Sequence, residues 1–226
     1  METGRSFRCR ATHPPMTHCD CEEQHARHRV VLTGGPGAGK TAVLELVRQY
    51  FCGHVQVLPE AASMLFGGGF RRGQTVGGRR ATQRAIFHVQ RELEASIDCE
   101  ANAAVVVCDR GTVDGVAYWP GPADFWSELS TTRAAETGRY DAVIHLRTPP
   151  RHGGYDHRNP VRIESAAEAA AIDERILDAW DGHPRRFVID ATADFLQKAE
   201  RAIEILSAEV PPCCRHHIMA PRRSGA

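Results

Sequence analysis

The stretch RVVLTGGPGAGKT occupies residues 29–41. Its first five residues, Arg29–Thr33, carry enough apolar and β-branched side chains to form a buried strand. A glycine-rich turn follows, and a helical pattern begins at Lys40. Gly34, Gly35, Pro36, Gly37, Ala38, Gly39, Lys40 and Thr41 match G-x-x-x-x-G-K-[ST] at every fixed position. Glycines let successive backbone N–H groups turn toward a phosphate with no Cβ in the way. The helix start adds the positive end of its dipole. Lys40 is then expected to reach the β- and γ-phosphates of a nucleoside triphosphate, and the Thr41 hydroxyl to hold Mg²⁺. Ala42, on the first helical turn, completes the expected nucleotide-binding segment.

Composition strengthens that reading. The chain has 28 Lys and Arg residues, yet only Lys40 and Lys198 are lysines. One of the two falls where a phosphate loop needs a compact point charge, which the planar arginine fork does not replace.

Outward from the loop, short apolar runs alternate with helical patterns. Strands are expected at 29–33, 55–58, 104–108, 142–146 and 187–189. Helices are expected at 40–51, 79–99, 165–180 and 193–208, with a mainly helical segment between 111 and 138. In the second helix Ile86, Val89, Leu93 and Ile97 fall on one face; in the last, Phe195, Ala199, Ala202 and Leu206 do. Ser165 and Glu168 fit a capping box. Strands that are apolar throughout imply a sheet covered on both faces. The fold class is therefore α/β, a P-loop NTPase three-layer sandwich with a five-stranded parallel sheet.

The 226 residues carry 28 basic and 28 acidic side chains, so the formal net charge is zero. That balance argues against a general nucleic-acid or anionic-membrane binder. No apolar run approaches the roughly 18 residues of a membrane span. Residues 1–28 are polar and have no apolar core of a secretory signal. The eight cysteines accordingly read as thiols of a cytoplasmic protein. Residues 1–28 and 211–226 are expected to be tails around a domain at 29–210, with a lid loop at about 147–162. Met16 is an alternative start to Met1.

Asp109 closes the apolar run at 104–108 with a carboxylate beside the P-loop. It is a candidate magnesium ligand, with turn capping as the alternative. Arg110 follows and either faces phosphate or lies on the surface. Residues 67–78 are glycine-rich and bracketed by Arg71, Arg72, Arg79 and Arg80. They are either a substrate clamp, with Arg80 as a candidate substrate contact, or a plain connection. Asp114 is a further candidate substrate contact.

The segments VVLTGGPGAGKT, LPEAA after the second strand, VVVCDRG after the third and the arginine-bearing loop before the fifth resemble P-loop small-molecule kinases. The likeness is to the AAA-named ATP-binding family that includes the ribosylnicotinamide kinase domain of the NadR regulator, and it spans about residues 29–208. It implies ATP and Mg²⁺ as cofactors and a small-molecule phosphoryl acceptor of nucleoside or nucleotide type. By the same likeness Glu60 faces the acceptor hydroxyl, or else is an N-terminal helix Glu stabilised by the helix dipole. Asp109 binds magnesium, Arg110 steadies the transferring phosphoryl group, and the lid arginines Arg158 and Arg162 close over it.

The alternative is a nucleotide-dependent regulatory or signalling module that binds ATP or GTP without phosphorylating an acceptor. The guanine-reading [NT]-K-x-D pattern is missing, since Lys198 sits in Gln197-Lys198-Ala199-Glu200. Two His/Cys clusters remain: His18, Cys19, Cys21, His25 and His28 in one, Cys213, Cys214, His216 and His217 in the other. Neither has a clean zinc-ligand spacing by itself, so solvated tails are expected there, with zinc binding as the alternative.

Overall fold

The computed structural model describes residues 21, 25–100, 103–149, 165–191 and 194–215. At its centre is β1 (His28–Thr33), whose last four residues are fully buried. Val30 and Leu32 face one apolar cluster and Val31 faces the other. This is the two-residue period of a strand packed on both sides.

The other strands are β2 (Val55–Leu58), β3 (Val105–Asp109), β4 (Ala142–Leu146) and β5 (Arg186–Ile189). They form one parallel sheet in the order β2-β3-β1-β4-β5. The register sets Leu32 beside Asp109 and Thr33 beside His145. The loops leaving β1, β3 and β4 therefore converge at one edge of the sheet. The expected α/β three-layer architecture is observed, with strand boundaries shifted by a residue at β1, β3 and β5.

One face is covered by α1 (Lys40–Tyr50) and α7 (Phe195–Glu209). Val43, Leu44 and Val47 of α1 meet Ala199, Ala202 and Leu206 of α7 over Leu32, Ile144 and Leu146. Phe195, expected inward, stays 38% exposed; Lys198 is buried in its place. The other face carries α6 (Ala166–Ala179), which buries Ala169, Ile172 and Ile176 as its period predicts. Its capping box is present: the Ser165 hydroxyl accepts from the Glu168 N–H, and the Glu168 carboxylate accepts from the Ser165 N–H. Such a cap is worth about 1 kcal/mol.

Between β2 and β3 lie α2 (Ala61–Gly67) and the long α3 (Val76–Glu100). The glycine-rich connection is shorter than expected, because Thr75 starts α3: its hydroxyl accepts from the Gly78 N–H and its carbonyl from the Arg79 N–H. A Cβ at Gly73 would lie 2.1 Å from the Gly78 carbonyl carbon, so the two glycines permit a backbone contact that closes the turn.

The inner face of α3 is more polar than its apolar spacing suggested. Leu93 and Ile97 pack against the core only partly. The buried positions are Thr82, Phe87, Gln90 and Glu94. Glu94 accepts from Gln90, Tyr140 and Arg139, while Glu136 accepts from Thr112, Thr131 and Arg91. These two carboxylates pin the 3-10 helix Thr112–Tyr118 between α3 and α5 (Arg133–Thr137). The short α4 (Phe125–Glu128) intervenes, capped by Asp124.

The segments assigned to tails are partly folded. His25–Arg27 approaches β1 with Arg27 bonded to Asp98 and to the Ala103 carbonyl. Residues 212–215 form α8 (Pro212–Arg215), and Cys214 is fully buried. The domain boundary expected at 210 therefore falls short of the packed structure. Most of the expected lid lies at 150–164, outside the described residues.

Candidate functional site

The P-loop at 34–41 connects β1 to α1. Gly34 has φ +133°, and a Cβ there would sit 2.0 Å from the Leu146 carbonyl oxygen. Only glycine permits that approach of loop to β4. The loop is braced from outside by groups that sequence reasoning did not single out. Asp173 on α6 accepts from the Gly35 N–H at 2.7 Å and from the Thr148 N–H at 3.2 Å. The same carboxylate pairs with His145 at 3.0 Å and with Arg147 at 3.0 Å. Burial works to raise its pKa, but the hydrogen bonds from His145 and Gly35 hold it below the usual carboxylate range. Lys198 on α7 donates to the Ala38 carbonyl at 2.9 Å and to the Arg147 carbonyl. Both lysines of the chain thus end on the phosphate loop.

Lys40 folds back over the loop, donating to the carbonyls of Gly34 and Gly35 at 2.9 and 3.1 Å. Burial, aided by Arg110, lowers its pKa to about 8 against the pull of Asp109, Glu60 and Asp114. Asp109 ends β3 beside it. Burial pushes this carboxyl up to about 6, with Lys40 opposing and Glu60 adding to the rise. Its buried Oδ1 has no hydrogen-bond partner among the described residues. An acceptor oxygen left without a donor beside a P-loop suits a cation.

Arg110 adopts a left-handed φ of 73°, uncommon outside glycine. Its N–H donates to the Leu32 carbonyl at 3.1 Å, which holds the turn against β1. The guanidinium is thereby aimed inward. Its Nε donates to Glu60 at 2.7 Å and its Nη1 to Asp114 at 3.1 Å. Burial works to raise the Glu60 pKa, but Arg110, the Ser63 hydroxyl and Lys40 hold it at about 2. Glu60 is therefore an anion at any ordinary pH. It is the N-cap residue of α2, where the helix dipole also favours an anion, although its side chain accepts from no backbone N–H of that helix.

These groups line one cleft of about 290 Å³. Pro36, Gly37, Lys40 and Thr41 line it together with Asp109, Arg110 and Glu60. Phe66, Gln83, Ile86, Phe87, Gln90 and Tyr118 line it as well. These last residues were not anticipated. Gln83 and Gln90 stand seven residues apart on α3 with Ile86 and Phe87 between them, so helical spacing contained the signal. The amides were masked by the stronger apolar pattern next to them.

Two expected substrate contacts, Asp114 and Arg80, already have partners within the protein. Asp114 borders the cleft, but its carboxylate is engaged: Oδ1 accepts from Trp180 at 2.5 Å, and Oδ2 from Thr33 at 2.6 Å and from Arg110. It holds Arg110 in place. Arg80 does not line the cleft. It donates to the Pro120 carbonyl, pairs with Glu128 and stacks over Trp119. Its neighbour Arg72 lines the cleft, lying over the Phe66 ring at 4.0 Å. Arg158 and Arg162 lie outside the described residues.

A parallel sheet whose central strand feeds a Walker-type loop, with a carboxylate ending the adjacent strand, defines a P-loop NTPase fold. A family model described as an AAA domain matches residues 29–198, and the chain belongs to that family. It is a nucleotide-binding P-loop protein. Among solved structures, the fold is similar to thymidylate kinase from Candida albicans, with TM-score 0.55 and 12% identity. The match covers 81% of this chain and 92% of that one. A comparison with curated protein sequences finds no match. No helix among the described residues is long and apolar enough to cross a membrane.

Proposed function

We propose that the protein is an ATP-dependent, magnesium-requiring phosphotransferase acting on a small nucleoside- or nucleotide-like acceptor. One observation carries this reading. The cleft that holds Lys40 and Thr41 of the phosphate loop and the Glu60–Arg110 pair is also lined by aromatic rings and amide side chains. Such a wall suits a flat, hydrogen-bonding ring.

In this reading the amides of the P-loop and Lys40 hold the triphosphate. The negative charge brought by the phosphates restores the full protonation of Lys40 that burial lowers. Thr41 and Asp109 would hold magnesium, and the partnerless Oδ1 of Asp109 is the feature that fits it. The ion would supply neutralisation of charge on the triphosphate. Arg110 stands between Glu60 and the phosphate end, so it can give up part of its pairing to a phosphoryl oxygen. Glu60 then accepts a hydrogen bond from the acceptor hydroxyl and aligns it. A carboxyl held at about 2 is a weak base, so its contribution is orientation more than proton removal.

ADP release is the direct test, measured at fixed magnesium with nucleosides, nucleotides, ribosylnicotinamide and sugars offered in turn. Acceptor-dependent ADP with a phosphorylated product supports the phosphotransferase. Tight ATP binding with no turnover across the panel would replace it with the regulatory module.

A further inference from the structure

At the edge of the sheet opposite the P-loop, two segments far apart in sequence meet. Cys21 and Cys213 stand 192 positions apart, with their Sγ atoms at 3.5 Å. His25 Nε2 lies 3.3 Å from Cys21 Sγ and 3.3 Å from Cys213 Sγ. Cys214 Sγ is 3.7 Å from Cys213 Sγ. All four donor atoms fall within 4.8 Å of one another. None of the six described cysteines is in a disulfide.

We propose that Cys21, His25, Cys213 and Cys214 form a structural zinc site that fastens the two ends of the chain together. A tetrahedral zinc with Zn–S near 2.3 Å and Zn–N near 2.0 Å has S···S edges of about 3.8 Å and S···N edges of about 3.5 Å. The three close approaches from Cys21, His25 and Cys213, and the Cys213–Cys214 separation, already match those edges. Three sulfurs and one imidazole nitrogen complete the four-coordinate, closed set of a structural site rather than the open set of a catalytic one. On binding, the three thiols release three protons to solvent, and the imidazole binds neutral through Nε2.

The surroundings support the assignment. His54 Nδ1 lies 3.4 Å from Cys214 Sγ and can donate its proton to that thiolate, as the outer partners of metal ligands do. His54 is itself fixed, because its carbonyl accepts from the N–H groups of Ala104 and Val105 at the start of β3. Its ring meets that of His25 edge-on at 5.6 Å. The site would thus tie the approach to β1, the approach to β2 and α8 into one unit. Since β1 and β2 run from here toward the phosphate end, its effect falls on stability rather than on phosphate chemistry.

The test uses the full-length chain, expressed in zinc-supplemented medium and purified without chelator or affinity tag. Elemental analysis should find zinc stoichiometric with protein. Replacement by Co²⁺ should give the visible absorption of a tetrahedral cobalt–thiolate centre. Cys213→Ser and His25→Ala should each lose most of the metal, while Cys99→Ser, an exposed cysteine away from the cluster, should keep it. Stripping zinc from the wild type should lower the thermal midpoint to that of Cys213→Ser and leave nucleotide binding at low temperature unchanged. Protein without zinc and without a cobalt–thiolate spectrum would overturn the proposal. So would mapping a Cys21–Cys213 disulfide in protein alkylated before denaturation.

Discussion

The two halves of the cleft are built on different principles. The phosphate half is backbone, held in place from behind: Asp173, Thr148 and Lys198 bond to Gly35, Pro36 and Ala38 and leave the inner face of the loop open. The half proposed above for an acceptor is side chain: Glu60, Arg110 and Asp114 share charges that can exchange partners. A triphosphate presents the same groups to every such protein, so a rigid cradle serves it. An acceptor must be aligned during a reaction, and a pair that can re-pair serves that. The contrast also explains why the first half is written in a motif and the second is not.

Lys40→Ala strikes the phosphate half directly. It is expected to cost about 10³-fold in turnover, measured as ADP formation; unchanged ATP affinity and rate would remove the loop from the chemistry. Asp173→Ala leaves every cleft residue in place and removes the brace. Breaking a buried, charged hydrogen-bond partner of this kind costs about 3 kcal/mol. Urea unfolding should show it, and a wild-type midpoint would mean the loop holds its shape unaided.

Glu60→Gln probes the acceptor half. Transfer should slow by about 10²-fold while ATP binding, followed by calorimetry, is unaffected. Equal loss of both would merge the two halves into one site. The smallest effect concerns Lys198. Burial lowers its pKa to about 8, with Asp173 opposing. Between pH 8 and the ordinary lysine value the unfolded chain holds a proton that the folded chain has released. Stability should therefore rise with pH in that window, by about 1 kcal/mol from pH 8 to 9.5. Lys40, also lowered to about 8, adds a slope in the same window; Lys198→Met should therefore reduce the slope to the share carried by Lys40, and a slope unchanged in the variant would assign it elsewhere.

The central strand, the phosphate loop, Lys40, Thr41 and the carboxylate of Asp109 were legible because each lies within a few residues of the pattern that reveals it. The Ser165–Glu168 cap was legible for the same reason. Glu60 could be placed near the site only by resemblance and Arg110 only as one of two readings beside Asp109, and their direct pairing across 50 positions came from the fold. Asp114 and Arg80 looked like substrate contacts because their partners, Trp180 and Trp119 among them, are not written beside them in a way that spacing exposes. The polar inner face of α3 was hidden because burial of Gln90 and Glu94 is affordable only with Arg139 and Tyr140 opposite.

The scarcity of lysine in a chain so rich in arginine picked out Lys40, and the amino-acid pattern alone sufficed to determine the sheet and its phosphate loop. Tertiary structure decided what surrounds them. Gly35 meets its brace 138 positions away, Ala38 meets the second lysine 160 away, and Cys21 meets Cys213 192 away. Local propensity and periodicity act over one turn or one pleat. Charge pairing and ligand convergence act through space, and chain order does not encode which distant residues the fold will bring together.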